Sequence, residues 1–210
     1  MCNKYKTQGD TISDFIRDLL ELPLSLDSIS PNKIVSPTDN VPVVRLTSKG
    51  YEQLEMRWGL VPAWSKQMPD RPLTNARSET VDELKSFSEA FHKRRCIMPA
   101  AEFYEWIKRT KQRVTFQPKD GEFLFAGLWE SWKSDDKTIE SCVMLTTAAN
   151  DVMAPVHDRM PVILKPEDCV KWLNLDTPIE ELRMLLEPLA KDLITLVEEI
   201  KPSSNQTSLF

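Results

Sequence analysis

Five short runs between residues 95 and 146 constrain the fold more than any other feature. Arg95 to Met98, Phe103 to Arg109, Val114 to Gln117, Glu122 to Ser131 and Thr138 to Thr146 are rich in β-branched, aromatic and leucine residues and are separated by turn-forming clusters. Strands so close in sequence pair antiparallel, and this many of them predict a barrel-like sheet. Two more strands, near Val41 to Thr47 and Tyr51 to Arg57, meet at a hairpin turn at Lys49-Gly50. Ile12, Phe15, Ile16, Leu19 and Leu20 follow helical spacing behind a cap at Asp10 or Thr11. Pro23, Pro31 and Pro37 make Leu22 to Asn40 an irregular connection. Ser78 and Glu79 open a second helix reaching Phe91, and Pro166 to Leu173 and Pro178 to Leu189 are helical with proline in the first turn. The expected fold is therefore α+β: a single domain over residues 1–201, mainly an antiparallel barrel-like sheet with flanking helices. Residues 202–210 are expected to form a flexible C-terminal tail.

Composition excludes several functions. The five glycines, at 9, 50, 59, 121 and 127, fit neither GxGxxG nor GxxxxGK[ST], so no nucleotide cofactor is expected to sit on a glycine-rich loop. The longest apolar run, Phe123 to Trp129, is far short of the roughly 20 residues that span a bilayer. No hydrophobic segment follows the charges of the Met-Cys-Asn-Lys-Tyr-Lys-Thr start, which predicts a cytoplasmic protein without a secretory signal. Cys2, Cys96, Cys142 and Cys169 form no CxxC pair and the only histidines are His92 and His157, so neither a metal site nor any other cofactor is expected. The net charge of −5 argues against a broad nucleic-acid surface, yet between His92 and Lys119 eight basic residues face only Glu102 and Glu105. Between Lys165 and Lys201 nine acids outnumber five bases. That asymmetry leaves two readings, a local basic face and a solvated surface of mixed charge.

Cys2 stands out by position. Removal of Met1 leaves an N-terminal cysteine whose amine and thiol sit on adjacent carbons, able to condense with an aldehyde to an imine and close it to a thiazolidine. The reference pKa values, about 8 for the amine and about 8.5 for the thiol, put both within modest reach of neutrality. The same residue could attack an amide as an N-terminal nucleophile, or be nothing more than a frayed terminus.

Five segments resemble the SOS response-associated peptidase (SRAP) family of abasic-site processing proteins: MCNKY at the start, MRWGLVPAW at 56–64, PLTNARSET at 72–80, RCIMPAAEFYEW at 95–106 and TTAANDVMAPVHDRMPVIL at 146–164. The resemblance implies that an exposed Cys2 traps the ring-opened aldehyde of an abasic site in single-stranded DNA. It implies that Asn75 positions the nucleophile and the sugar, that Glu105 transfers protons and that His157 acts in ring opening. It places phosphate contacts at Lys4, Arg77 and Arg159. Those residue types suit the steps, since ring opening and imine formation each move a proton and an amide donates and accepts without titrating. Each also has a plainer role: His157 as a loop anchor, Asn75 as a turn residue, and Glu105 as the partner of Arg95 or Lys108. Trp106 and Trp129 read as packing, whereas Trp64, in a loop, is a candidate stacking platform for a splayed base.

The chain departs from the family's usual opening, MCGR, in having Asn3 and Lys4, which exchanges a guanidinium fork for a single ammonium. Trp64-Ser65 stands where some relatives have two tryptophans, and Glu102 stands where glycine is frequent. Two other functions compete: a cysteine-type autopeptidase that releases Met1, and a non-catalytic single-strand-binding module using Trp64, Arg77 and the basic 92–119 segment. Protein partners are not specified by the sequence.

Overall fold

Alternating hydrophobic residues close the central strands on themselves. The computed structural model describes residues 2–7, 14–20, 33–134 and 137–198. Its strands begin with β1 (Tyr5–Thr7), β2 (Ile34–Val35), β3 (Asn40–Thr47), β4 (Gly50–Trp58), β5 (Asn75–Arg77) and β6 (Arg95–Trp106). They continue with β7 (Arg113–Pro118), β8 (Phe123–Ser134), β9 (Lys137–Ala148), β10 (Arg159–Pro161), β11 (Ile163–Leu164) and β12 (Ile194–Glu198). The helices are short: α1 (Asp14–Leu19), α2 (Ser88–Lys93), α3 (Cys169–Leu173) and α4 (Ile179–Met184).

Strands β8, β9, β4, β3 and β6 pair in that order, and β6 returns to β8 to close a five-stranded barrel. The α+β, barrel-like expectation holds, although β4 and β5 pair with β9 in parallel. Period two sets the two faces. Met56, Trp58, Cys96, Met98, Phe123, Phe125, Cys142 and Met144 point into the barrel, while Ile97, Leu124, Leu128, Val143 and Leu145 pack outward under α2 and α3. Gly127 falls at an inward position, where a Cβ would lie 3.0 Å from Cys96 Sγ and from Val143 O, so the interior has no room for a side chain there.

Strand β6 is a single twelve-residue strand where the sequence suggested two runs broken near Pro99. Proline is tolerated because it falls where the edge neighbour of β6 changes from β3, at Cys96 and Ile97, to β1, at Ala100, and neither ladder requires its missing N–H. Beyond the barrel, β6 carries a second sheet in the order β2, β1, β6, β7, β12. The helix expected over 78–91 is instead a 3-10 turn at Ser78–Thr80, then turns, then α2. Its end is fixed from outside: buried Arg95 donates to Phe91 O, His92 O, Trp172 O and Asn174 O, clamping the ends of α2 and α3 to β6. Burial pushes that guanidinium down to about 10. In the last quarter both predicted helices are shorter, and β12 was not anticipated. The helix expected from Asp10 is described only as α1, and the expected tail at 202–210 lies outside the described residues.

Trp58 joins core to site. It is fully buried, stacks edge-on against Tyr5 at 5.1 Å, and donates through Nε1 to Thr74 O at 2.9 Å, one residue before Asn75. Trp58→Ala is expected to lower unfolding free energy by about 3–5 kcal/mol in a denaturant titration. Trp58→Phe should keep most of that stability in the same titration while freeing Thr74 O.

Candidate active site

Cys2 is placed by strand pairing. Tyr104 N–H donates to Lys4 O at 3.0 Å, extending the β1–β6 ladder and bringing Cys2 to the end of β6 that carries Glu105. From β5, whose Asn75 pairs in register with Met144, the Asn75 Nδ2 donates to Cys2 O at 3.1 Å. That nitrogen also lies 3.3 Å from Asn3 Oδ1 and 3.2 Å from Thr74 Oγ1. Its partner atom, Asn75 Oδ1, is buried with no hydrogen-bond donor among the described residues. An orphaned acceptor of this kind is costly in a folded protein and marks a place where a donor is wanted.

The sequence suggested an exposed thiol that ionises with modest help, and the structure corrects both points. Cys2 is 1% exposed, with Sγ 3.5 Å from Lys4 O. Burial, and then the carboxylate of Glu105, push its pKa up to about 12. Glu105 is itself 6% exposed, and loss of solvent raises its pKa while His157 acts the other way. His157 follows the turn 150–156 and is fixed by its own surroundings: Nδ1 lies 3.0 Å from the Arg159 N–H and 3.0 Å from Asp158 Oδ1. A neutral ring accepts the first contact at Nδ1 and carries its proton on Nε2, whereas Asp158 is engaged by the protonated ring.

Cys2, Asn75, Glu105 and His157 thus come together from four separate parts of the chain. The alternative pairing of Glu105 with Arg95 is excluded, because Arg95 is committed to four backbone carbonyls. The outer residues are less uniform. Lys4 places its ammonium 6.0 Å from the Trp106 ring centroid, and Trp106 is more exposed than a packing role requires. Arg77 is exposed on β5, in register with Thr146. Arg159 is held by both oxygens of Glu79 and donates to Thr146 O at 2.5 Å, so its guanidinium already has its anion. Trp64 is 54% exposed but lies against α2's approach, donating to Lys85 O at 3.4 Å beneath the Lys85 ammonium at 4.4 Å. It makes no described contact with the other four. Glu79, inside the NARSET segment, was not singled out from the sequence, because nothing local announces a partner eighty residues away. Among the described residues no three His, Cys, Asp or Glu side chains are grouped as metal ligands, and no helix is long and apolar enough to cross a membrane.

The model of the SOS response associated peptidase (SRAP) family matches residues 1–202, and the chain belongs to that family. It is 36% identical over 169 residues to the abasic site processing protein YoqW of Bacillus subtilis, covering 77% of this chain and 75% of that protein. It is 32% identical to YobE of the same organism, with 91% of each chain covered, and 26% identical to HMCES of Xenopus tropicalis, with 78% and 60% covered; both are also named abasic site processing proteins. A crystal structure of a Bacteroides thetaiotaomicron protein superposes with a TM-score of 0.82 at 25% identity, covering 94% of this chain and 91% of that one.

Proposed function

We propose that this protein captures abasic sites in single-stranded DNA covalently through Cys2. The observation that carries the reading is the pairing of a held nucleophile with an unfilled acceptor: Asn75 fixes the Cys2 main chain through Nδ2 and leaves Oδ1 buried beside it without a donor. The α-amine exposed by Met1 removal, or a sugar hydroxyl, supplies that donor.

The chemistry follows from the protonation states. Ring opening of the abasic sugar breaks the C1′–O4′ bond, moving a proton from the 1′-hydroxyl to O4′, a transfer suited to His157. The amine adds to the aldehyde, and the carbinolamine loses water to leave an iminium as Glu105, whose protonated form burial favours, donates to the departing hydroxyl. The thiol remains protonated at neutral pH, so sulfur attack on the imine carbon must release a proton as the C–S bond forms. Glu105, now a carboxylate facing the thiol, accepts it, and the C=N electron pair passes to the nitrogen, which has kept its own N–H, to complete the neutral thiazolidine. No atom is left over except one water. Release of Met1 by the thiol's own attack on the preceding carbonyl is the sense in which the peptidase name would apply here. Intact mass of wild type beside Cys2→Ala, expressed without other processing, tests that step.

The test of the main reading mixes Met1-free protein with a single-stranded oligonucleotide carrying one abasic site, and separately with the undamaged oligonucleotide, on a denaturing gel. A retarded band with abasic DNA alone is expected. No band, with mass spectrometry confirming a free Cys2 amine, would sink the proposal.

A further inference from the structure

Charge is divided unevenly about the candidate site. On the flank of the Ser78–Thr80 turn lies a cleft of about 490 Å³ whose lining includes Glu79, Asp82, Glu83 and Glu187. The cations there are already matched, Arg159 by Glu79 and Arg183 by Asp82. A DNA strand turning into that cleft would meet carboxylates, and the one cation in its lining, Arg183, is already paired.

The opposite flank is the hairpin between β6 and β7. Trp106 to Arg113 holds Lys108, Arg109, Lys111 and Arg113 and no acidic residue. Lys108, Arg109 and Lys111 are exposed, and no carboxylate of the described residues is within ion-pair distance of them. The hairpin begins one residue after Glu105, and Lys108 also faces the His157 loop, where its charge helps hold the Asp158 carboxyl below its usual range, after a backbone hydrogen bond and His157. Lys4, two residues from the nucleophile, extends the same basic rim across Trp106.

The tip itself is strained. Ile107 O accepts from Lys111 N–H at 2.8 Å and Gln112 O accepts from Ile107 N–H at 2.9 Å, which places Lys111 at φ 57°. That left-handed conformation favours glycine and asparagine, and a longer side chain there costs on the order of 1 kcal/mol. A position whose backbone suits glycine carries a cation instead, the kind of local strain that collects at functional sites.

We propose that the β6–β7 hairpin is a phosphate-binding element that grips the DNA strand on one side of the abasic nucleotide, through Lys108, Arg109 and Lys111. This rests on the DNA reading given above and adds to it the direction of the strand, away from the acidic cleft and over the hairpin. The hairpin thereby adds to Lys4 the grip that Arg159, committed to Glu79, does not supply.

Two variants test it, K108A/R109A/K111A and K111G. Binding is followed by fluorescence anisotropy of a labelled single strand with a tetrahydrofuran abasic analogue, at several salt concentrations. Reaction of Cys2 with free 2-deoxyribose is followed by intact mass. The triple variant is expected to bind on the order of tenfold more weakly near 0.1 M salt, and the slope of log K against log salt should shrink by about 2, since each single-strand phosphate contact contributes roughly 0.7. Its reaction with deoxyribose should be unchanged. K111G should be at least as stable as wild type yet bind a few-fold more weakly, a combination that a purely structural lysine would not give. Affinity and slope within twofold of wild type in the triple variant, while wild type still crosslinks abasic DNA, would overturn the hairpin proposal alone. Weaker binding with an unchanged salt slope would overturn it too, as a folding effect. Failure of wild type to crosslink would overturn the functional reading beneath it.

Discussion

Cys2→Ala is expected to remove the stable DNA adduct completely while leaving equilibrium binding within about twofold of wild type. With Met1 removed from the variant by an aminopeptidase, an α-amine is still presented. That amine can form an imine with the aldehyde, but nothing closes the ring and water reverses it. The expected result is therefore conditional: no band on a denaturing gel from an untreated mixture, and a band after borohydride reduction. Wild type should give the band in both lanes. A Cys2→Ala adduct that survives without reductant would show that sulfur is not the trapping atom. Loss of binding together with loss of the adduct would mean that the side chain, 1% exposed within the core, is chiefly a packing element.

Glu105→Gln should slow crosslink formation by about 10²–10⁴, the usual worth of a positioned proton-transfer group. It should also raise stability near neutral pH. Burial lifts the pKa of Glu105 above its unfolded value, so the folded state binds the proton more tightly. The stability contributed by that proton is present below the ordinary carboxylate range and is lost as pH rises through the raised folded value. Above it, wild type holds a charge in a desolvated place, and the amide does not. The melting temperatures of wild type and variant should converge in acid and separate in favour of the variant toward neutrality. The variant's Cys2 thiol should titrate lower than wild type's, since the carboxylate that opposes its ionisation is gone. A slower variant with no gain in stability would remove the buried carboxylate from the account. Sacrificing stability for a strained, reactive group is a common arrangement in enzymes.

The barrel was legible in the sequence because its strands obey a period of two and its turns are marked by glycine and polar clusters. The parts that were missed had no such local signal. Ile194 to Val197 alternate like a strand, but they follow proline-started helical segments in an acidic stretch, and only β7 makes them β12. The helix expected over 78–91 fails because Val81, Phe87, Ala90 and Phe91 are all buried against strands, an arrangement that turns achieve and one straight helix does not. At the site, residue chemistry singled out Cys2, and the family's motifs singled out Asn75, Glu105 and His157. What those segments did not contain was the environment: desolvation of the thiol, the orphaned Asn75 Oδ1 and the capture of Arg159 by Glu79 all arise from residues brought together across the fold.

The pairing of β1 with β6 has a consequence for the protein's birth. Cys2 leaves the ribosome first, whereas Glu105 and His157 follow after roughly half and three quarters of the 210 residues have been made. At about 5–20 residues per second, the thiol waits on the order of ten to thirty seconds before its last proton-transfer partner exists. During that interval it is an ordinary cysteine on an unfinished chain. On the reading proposed above, positioned proton transfer to and from Cys2 would come only with barrel closure, so capture would be directed only once the fold is complete.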